Sequence, residues 1–234
     1  MSFYEKIEEG VLKDQNIEVL KTISYEAKIK ISKQDIEKIE GRLRELGFQE
    51  MEERIEKDVV VFSQGSNSLK LKKELGKNKE ELLLIFNKKI SSETKQSFII
   101  KFSGQNVYEW TFEKLLETVE RETTLPKGIK EILNLTLANK NNIHTDKLQQ
   151  VKIVKVEKRR IVFYDSTKMR SVSFDLGVIK KEMGRTIHLG DFIELSANSK
   201  EELAFLIQQF KDLGQVSFLH YYEMKNEFSQ NIRD

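Results

Sequence analysis

The residues of this chain that could do chemistry sit two apart. Glu26, Lys28 and Lys30 alternate with apolar residues, and the same spacing recurs at Lys70 and Lys72, Lys158 and Arg160, Ser171, Ser173 and Asp175, and Glu194 and Ser196. A period of two places side chains on one face of a β-strand, so each set is a polar strand face. Lysines and arginines in that number suit a polyanion, and carboxylates among them are hard oxygen ligands for an accompanying divalent metal. Two arrangements are open. The faces could be the wet sides of a two-layer sandwich, or they could line a closed barrel whose polar faces point into a tunnel while helices pack outside. The tunnel accounts for the composition: 38% hydrophobic and 33% charged residues, against roughly 45–50% and 25% in ordinary globular chains.

Other chemistries are excluded or weakened by composition. The 234 residues contain no cysteine, which removes disulfides, thiolate metal sites and a cysteine nucleophile, and three histidines leave little for a histidine-rich metal site. Forty Lys+Arg against 38 Asp+Glu give a net charge of +2, too balanced for an extended nucleic-acid footprint. No apolar run approaches the length of a membrane span and the first residues lack a signal core, so the chain reads as soluble, cytoplasmic and free of membrane partners.

The elements that must position these residues are readable from periodicity. Thr22–Ile31 alternates as a strand, with Ile23, Tyr25, Ala27, Ile29 and Ile31 on its apolar face. A helix follows: Ser32 and Asp35 fit a capping box, Ile36, Ile39, Leu43 and Leu46 form a stripe, and Gly47 stands at the stop. The construction recurs after the strand Ile193–Ser196, with Ser199 and Glu202 as cap, Leu203, Leu206, Phe210 and Leu213 as stripe, and Gly214 as stop. Between these halves, alternating segments at 58–62, 68–73, 81–89, 96–103, 151–164 and 170–176 predict an antiparallel β-rich middle. Helices are expected at Val107–Glu122 and Lys127–Asn139, with Trp110 in their core. Ser2–Leu20 is expected to be helical, with Phe3, Ile7, Val11 and Leu12 on one side. The organisation expected is a helical extension over 1–21 and one domain over 22–234, carrying a helical insertion at about 107–142. Lys70, Lys72 and Lys73 also admit a plainer reading as a solvated hairpin, and Arg159 belongs to the outer face.

In order and spacing these segments resemble the CYTH superfamily, the triphosphate tunnel metalloenzymes. Ser24-Tyr25-Glu26-Ala27-Lys28 is similar to the family's opening Glu-x-Glu-x-Lys strand, with serine for the first glutamate. Ser68-Leu69-Lys70-Leu71-Lys72 is similar to its basic strand, and Leu84-Ile85-Phe86-Asn87-Lys88 to the next, which normally delivers a lysine; the register admits Asn87 or Lys88. Val156–Phe163 resembles the Glu-Lys-x-Arg strand, Ser173-Phe174-Asp175 the aspartate strand, Leu189–Glu194 the Leu-Gly-x-Phe-x-Glu element, and Tyr221-Tyr222-Glu223-Met224 the closing helix. The loop Gly177–Ile187 looks like an enlargement, and Gly184-Arg185-Thr186 like a mobile loop near the tunnel mouth.

The resemblance implies an α+β fold, an antiparallel tunnel of about eight strands with helices outside. It implies a triphosphate cage of Lys28, Lys30, Lys70, Lys72, Lys158 and Arg160, Mg²⁺ or Mn²⁺ on Glu26 and Glu194, and catalytic roles for Asp175 and Lys88. Ser24 and Ser196 stand where triphosphatase-like members place further carboxylates; Ser196 turns the resemblance toward class IV adenylate cyclases, Ser24 turns it away from activity, and a triphosphatase and a nucleotide or polyphosphate binder without turnover are the alternatives. The partners implied are a nucleoside triphosphate or other polyphosphate, with an RNA 5′ end and a homodimer left open.

Overall fold

The computed structural model of the chain describes residues 5–12, 15–64, 67–77, 80–104 and 154–224. The helices expected within 107–142, Trp110 among them, lie outside the described residues. Ten strands form one antiparallel sheet: β1 (Glu5–Leu12), β2 (Gln15–Ile31), β3 (Gln49–Gln64), β4 (Asn67–Gly76), β5 (Glu80–Lys89), β6 (Thr94–Gly104), β7 (Val154–Asp165), β8 (Arg170–Glu182), β9 (Arg185–Ala197) and β10 (Val216–Ser217). Eight of them run β2-β6-β5-β4-β3-β7-β8-β9 and close through β2–β9 pairing, where residues 25–31 of β2 meet residues 191–197 of β9. Closure satisfies backbone groups that an open sheet leaves at its edges. It also decides between the two arrangements above: the polar faces line a lumen.

Among the described residues two α-helices lie outside, α1 (Ile36–Glu45) and α2 (Lys200–Phe210). Each follows a strand of the closing seam, so the two similar strand–helix units sit side by side. Ala27, Ile29, Ile193 and Leu195 face outward into one core with Ile39 and Leu43 of α1 and Leu203, Leu206 and Phe210 of α2. The caps form as the spacing predicts: Ser32 donates its N–H and hydroxyl to Asp35 at 2.9 and 2.7 Å, and Ser199 accepts from the Glu202 N–H. Arg42 of α1 locks the pair, bonding Asp212 at 2.7 and 3.1 Å and the Gln209 carbonyl while lying over the Phe210 ring.

Three expectations are corrected. Within the stretch Ser2–Leu20, expected to be helical, residues 5–12 form β1, and residues 15–21 pair with β1 on one edge and β6 on the other. The apolar spacing fits a helix, but two ladders of backbone hydrogen bonds outweigh that local preference. The segment Gly177–Ile187 is no mobile loop. β8 and β9 continue through it to a two-residue hairpin turn at Met183 and Gly184, both at positive φ (49° and 75°). Gly214 does not repeat the left-handed stop of Gly47 (φ 82°); its backbone is extended, and glycine is required because a Cβ there would lie 2.9 Å from the Lys30 carbonyl oxygen.

Candidate functional site

The lumen encloses a cavity of about 750 Å³, within the range that holds a small organic ligand. Its walls follow from register. On β2 and β9, Lys28 lies opposite Glu194; on β7, Arg160 lies opposite Asp175 of β8 and Lys158 opposite Glu56 of β3. Opposite charges on adjacent strands are thereby set within ion-pair reach. Arg160 bonds Asp175 at 2.5 and 2.6 Å and Glu194 at 2.9 Å. Lys158 lies 3.2 Å from Glu56 and 3.1 Å from Asp175. Lys72 bridges Glu56 and Glu74 at 2.9 and 3.0 Å, Lys28 meets Glu194 at 3.2 Å, and Lys95 meets Glu26 at 2.7 Å.

These contacts hold Glu56 and Glu194 ionised. Burial raises the affinity of Glu56 and Glu194 for protons, but Arg160 with Lys72 and Lys158 around Glu56, and Arg160 with Lys28 around Glu194, outweigh it and keep both well below the usual carboxylate range. Conversely, Glu56 and Glu74 overcome burial to raise Lys72, and Glu194 does the same for Lys28. Lys70 is the exception. Its ion-pair partner is Asp58, at 3.2 Å; burial, with Lys72, Lys95 and Lys158 nearby, brings its amine down to about 8. Oδ1 of Asp58 is buried with no hydrogen-bond partner among the described residues.

The C-terminal segment closes one end of the lumen. Tyr221 donates to Asp175 Oδ2 at 2.6 Å, and its ring carries Lys28 and Lys158 over its face at 5.2 and 4.8 Å. Burial and Asp175 push the Tyr221 hydroxyl well above its ordinary value. Phe192, Val156, Val178 and Met224 pack around it.

The structure thus gathers Glu26, Lys28, Lys70, Lys72, Lys158, Arg160 and Glu194 on the cavity wall, and the solvated-hairpin reading of Lys70 and Lys72 is set aside. Arg159 points outward to Glu53, as expected. Three sites differ from expectation. Lys88 is exposed and Asn87 faces the cavity, because β5 pairs with β4 in the register Ser68↔Asn87. Asp175 is wholly buried, engaged by Lys158, Arg160 and Tyr221, and lies behind the cavity lining. Lys30 lies beyond the cavity lining, its chain across Gly190. Sequence reasoning missed Arg54, Glu56, Asp58 and Glu74, which line or back the β3–β4 wall, and Lys95, His220 and Tyr222.

A divalent metal would find two carboxylates here. Glu26 and Glu194 lie on neighbouring strands, diagonal in register; burial and Glu194 raise the proton affinity of Glu26, but Lys95 and Lys28 outweigh them and hold it below its ordinary value. Ser24 donates to Glu26 at 3.1 Å in the place of a further carboxylate. Among the described residues no three carboxylate or histidine side chains gather as a metal site. Two carboxylates suit Mg²⁺, which commonly takes one or two together with substrate phosphates and water.

No protein-family profile matches the chain, and no curated protein does. Solved structures do. A conserved hypothetical protein from Pyrococcus furiosus is 16% identical with a TM-score of 0.50, covering 86% of this chain and 99% of its own. A protein from Pyrococcus horikoshii is 15% identical, TM-score 0.47, over 87% and 99%. A protein from Bacillus halodurans, named provisionally as an adenylate cyclase, is 11% identical, TM-score 0.45, over 91% and 99%. The likeness to the Pyrococcus furiosus protein is one of fold. No helix among the described residues is long and apolar enough to cross a membrane.

Proposed function

We propose that the protein binds a triphosphate in its lumen together with Mg²⁺ or Mn²⁺ and catalyses a metal-dependent phosphotransfer of the class IV adenylate cyclase kind, as its resemblance to the CYTH superfamily implies. The observation that carries this reading is the ring of buried cations, each already interleaved with carboxylates. A bare triphosphate, with about four negative charges, would be repelled by Glu56, Glu74 and Glu194; neutralised by a divalent ion, it meets a wall of matched polarity. Glu26 and Glu194 would hold the metal, which supplies Lewis-acid polarisation of phosphoryl oxygens when bound.

Lys28, Lys158 and Arg160 would hold the phosphates, Arg160 through its planar fork. In that reaction the ribose 3′-hydroxyl attacks the α-phosphorus and pyrophosphate leaves. Lys70 with Asp58 would take the proton of that hydroxyl, since the Lys70 amine can exist neutral near physiological pH and Asp58 Oδ1 has no hydrogen-bond partner among the described residues. A second reading has its own support. Every carboxylate of the wall named above is occupied by a lysine or arginine, an arrangement also suited to a protein that binds nucleotide or polyphosphate without turnover.

The test is ³¹P NMR of the protein with Mg²⁺ or Mn²⁺ and, separately, ATP, GTP, thiamine triphosphate and tripolyphosphate, with Glu26→Ala/Glu194→Ala as control. Pyrophosphate and a cyclic nucleotide are expected. Orthophosphate would replace the cyclase by a triphosphatase, and binding without turnover would leave the second reading.

A further inference from the structure

The charges of the lumen are not spread evenly around it. On β5 and β6 the cavity lining is uncharged apart from Lys95 at the start of β6, which pairs with Glu26: Leu83, Ile85, Asn87, Ser97 and Ile99 make up the rest. Leu83, Ile85 and Ile99 form an apolar cluster inside the barrel. Beside it runs a chain of neutral hydrogen bonds: Ser97 donates to Asn87 Oδ1 at 2.6 Å, and Asn87 Nδ2 donates to Ser68 at 3.4 Å. Bound this way, the carboxamide is fixed in orientation and keeps a second N–H. Thr22, opposite Ser97 in register, lines the same stretch, 93% buried, and its hydroxyl has no hydrogen-bond partner among the described residues.

Two aromatic rings from residues 220–222 line the same cavity, Tyr222 hydrogen-bonded to the Ser68 that Asn87 also bonds. His220 and Tyr222 both line the cavity and stack on each other, with ring centroids 5.2 Å apart and planes at 13°. Burial, together with Lys28, Lys95 and Lys70, holds the His220 imidazole neutral by pushing it well below its ordinary value. A neutral imidazole offers one donor and one acceptor and a flat face, and has no charge to compete for phosphate. An inorganic polyphosphate has no use for an apolar wall, a fixed amide, an unpartnered hydroxyl and a pair of stacked rings. A flat ring bearing polar edges uses all four: rings stack on rings, edges bond to the amide and hydroxyl, and the hydrocarbon wall excludes water.

We infer that this neutral wall, built from Thr22, Asn87, Ser97 and the stacked His220 and Tyr222, seats a planar heteroaromatic group, so that the lumen takes an organic triphosphate ahead of inorganic tripolyphosphate. This rests on the reading of the charged wall as the triphosphate site, and it adds which end of the ligand each wall takes. Nucleoside triphosphates and thiamine triphosphate share this chemistry, and separate arms distinguish them.

The experiment is isothermal titration calorimetry of the full chain with Mg²⁺ and, in turn, tripolyphosphate, ATP, GTP and thiamine triphosphate, repeated on Tyr222→Leu and Asn87→Leu. The expected result is that at least one organic triphosphate binds on the order of 10–100-fold more tightly than tripolyphosphate, that both variants erase most of this margin, and that tripolyphosphate affinity stays within about threefold throughout. Should either variant fail to fold, the other and the four wild-type titrations still decide. Equal affinity of wild-type protein for tripolyphosphate and every organic triphosphate overturns the inference and leaves the triphosphate site standing. A margin that survives both variants overturns the assignment to this wall. No binding of any of the four overturns the triphosphate reading and the inference with it.

Discussion

The wall made by β2–β4 and β7–β9 and the wall made by β5 and β6 enclose the same cavity by different means. On the first, Lys158 and Arg160 lie between carboxylates from neighbouring strands, and the shared anions fix the cations in place before any ligand arrives. On the second, order comes from packing and from neutral hydrogen bonds through Asn87. The charged wall is rigid because it is expensive to disturb: a buried cation whose anion is removed keeps its desolvation cost and loses its compensation. The neutral wall can be altered with little electrostatic consequence. In a ligand with a charged end and a flat end, the first wall would set affinity and the second discrimination.

The largest effect should come from breaking the charged wall at its anchor. Asp175→Ala removes one of the two carboxylates that Lys158 and Arg160 share, the other being Glu56, and leaves Tyr221 without its acceptor; it should lower stability by about 3–5 kcal/mol, read as a shift in the urea midpoint. An equal loss from Asn87→Ala would erase the distinction between the walls. Next in size, Arg160→Ala should weaken binding of Mg²⁺-tripolyphosphate by roughly 10–100-fold, the scale of a lost charge-assisted contact, in a titration where Asn87→Leu barely changes it.

The charged wall also has its own pH signature. The Lys70 amine is lower in the folded chain (about 8) than its ordinary value of 10.5, so between those values the unfolded chain holds more protons and stability contributed by this group rises with pH. Lys70→Gln should flatten that rise in melting temperature between about pH 8 and 10.5. Glu56 and Glu194 act in the opposite region: their depressed values add stability above the ordinary 4.5, lost as pH falls through the folded-state values. The smallest effects belong to residues outside both walls. Lys88→Ala and Arg159→Ala should each change stability by no more than about 0.5 kcal/mol and leave binding unaltered.

Legibility in the sequence tracked how differently the two faces of a strand are built. β2 and β9 carry apolar residues toward the helices and polar ones toward the lumen, so Glu26, Lys28 and Glu194 could be named from spacing. β3 carries Arg54, Glu56 and Asp58 inward while Glu53, Ile55 and Lys57 lie exposed outward; with charge on both faces the period of two disappears, and the partners of the named cations went unseen. Lys88 illustrates the sensitivity of register, where one residue exchanges lumen for solvent. His220, Tyr221 and Tyr222 carry no local signal, because their place is set by contacts as distant as Tyr221 to Asp175, 46 residues apart.

The central claim, that a polyphosphate is held by the charged wall inside the barrel, is tested most directly by lysine footprinting. The wild-type protein is acetylated with and without Mg²⁺-tripolyphosphate, and modification is measured at each lysine by mass spectrometry. The account predicts protection of Lys28, Lys70, Lys72 and Lys158, clearest at Lys70, whose amine is brought down to about 8, with no change at the outward-facing Lys57, Lys155 and Lys181. Protection of the outward lysines with the lumen lysines unchanged would contradict it.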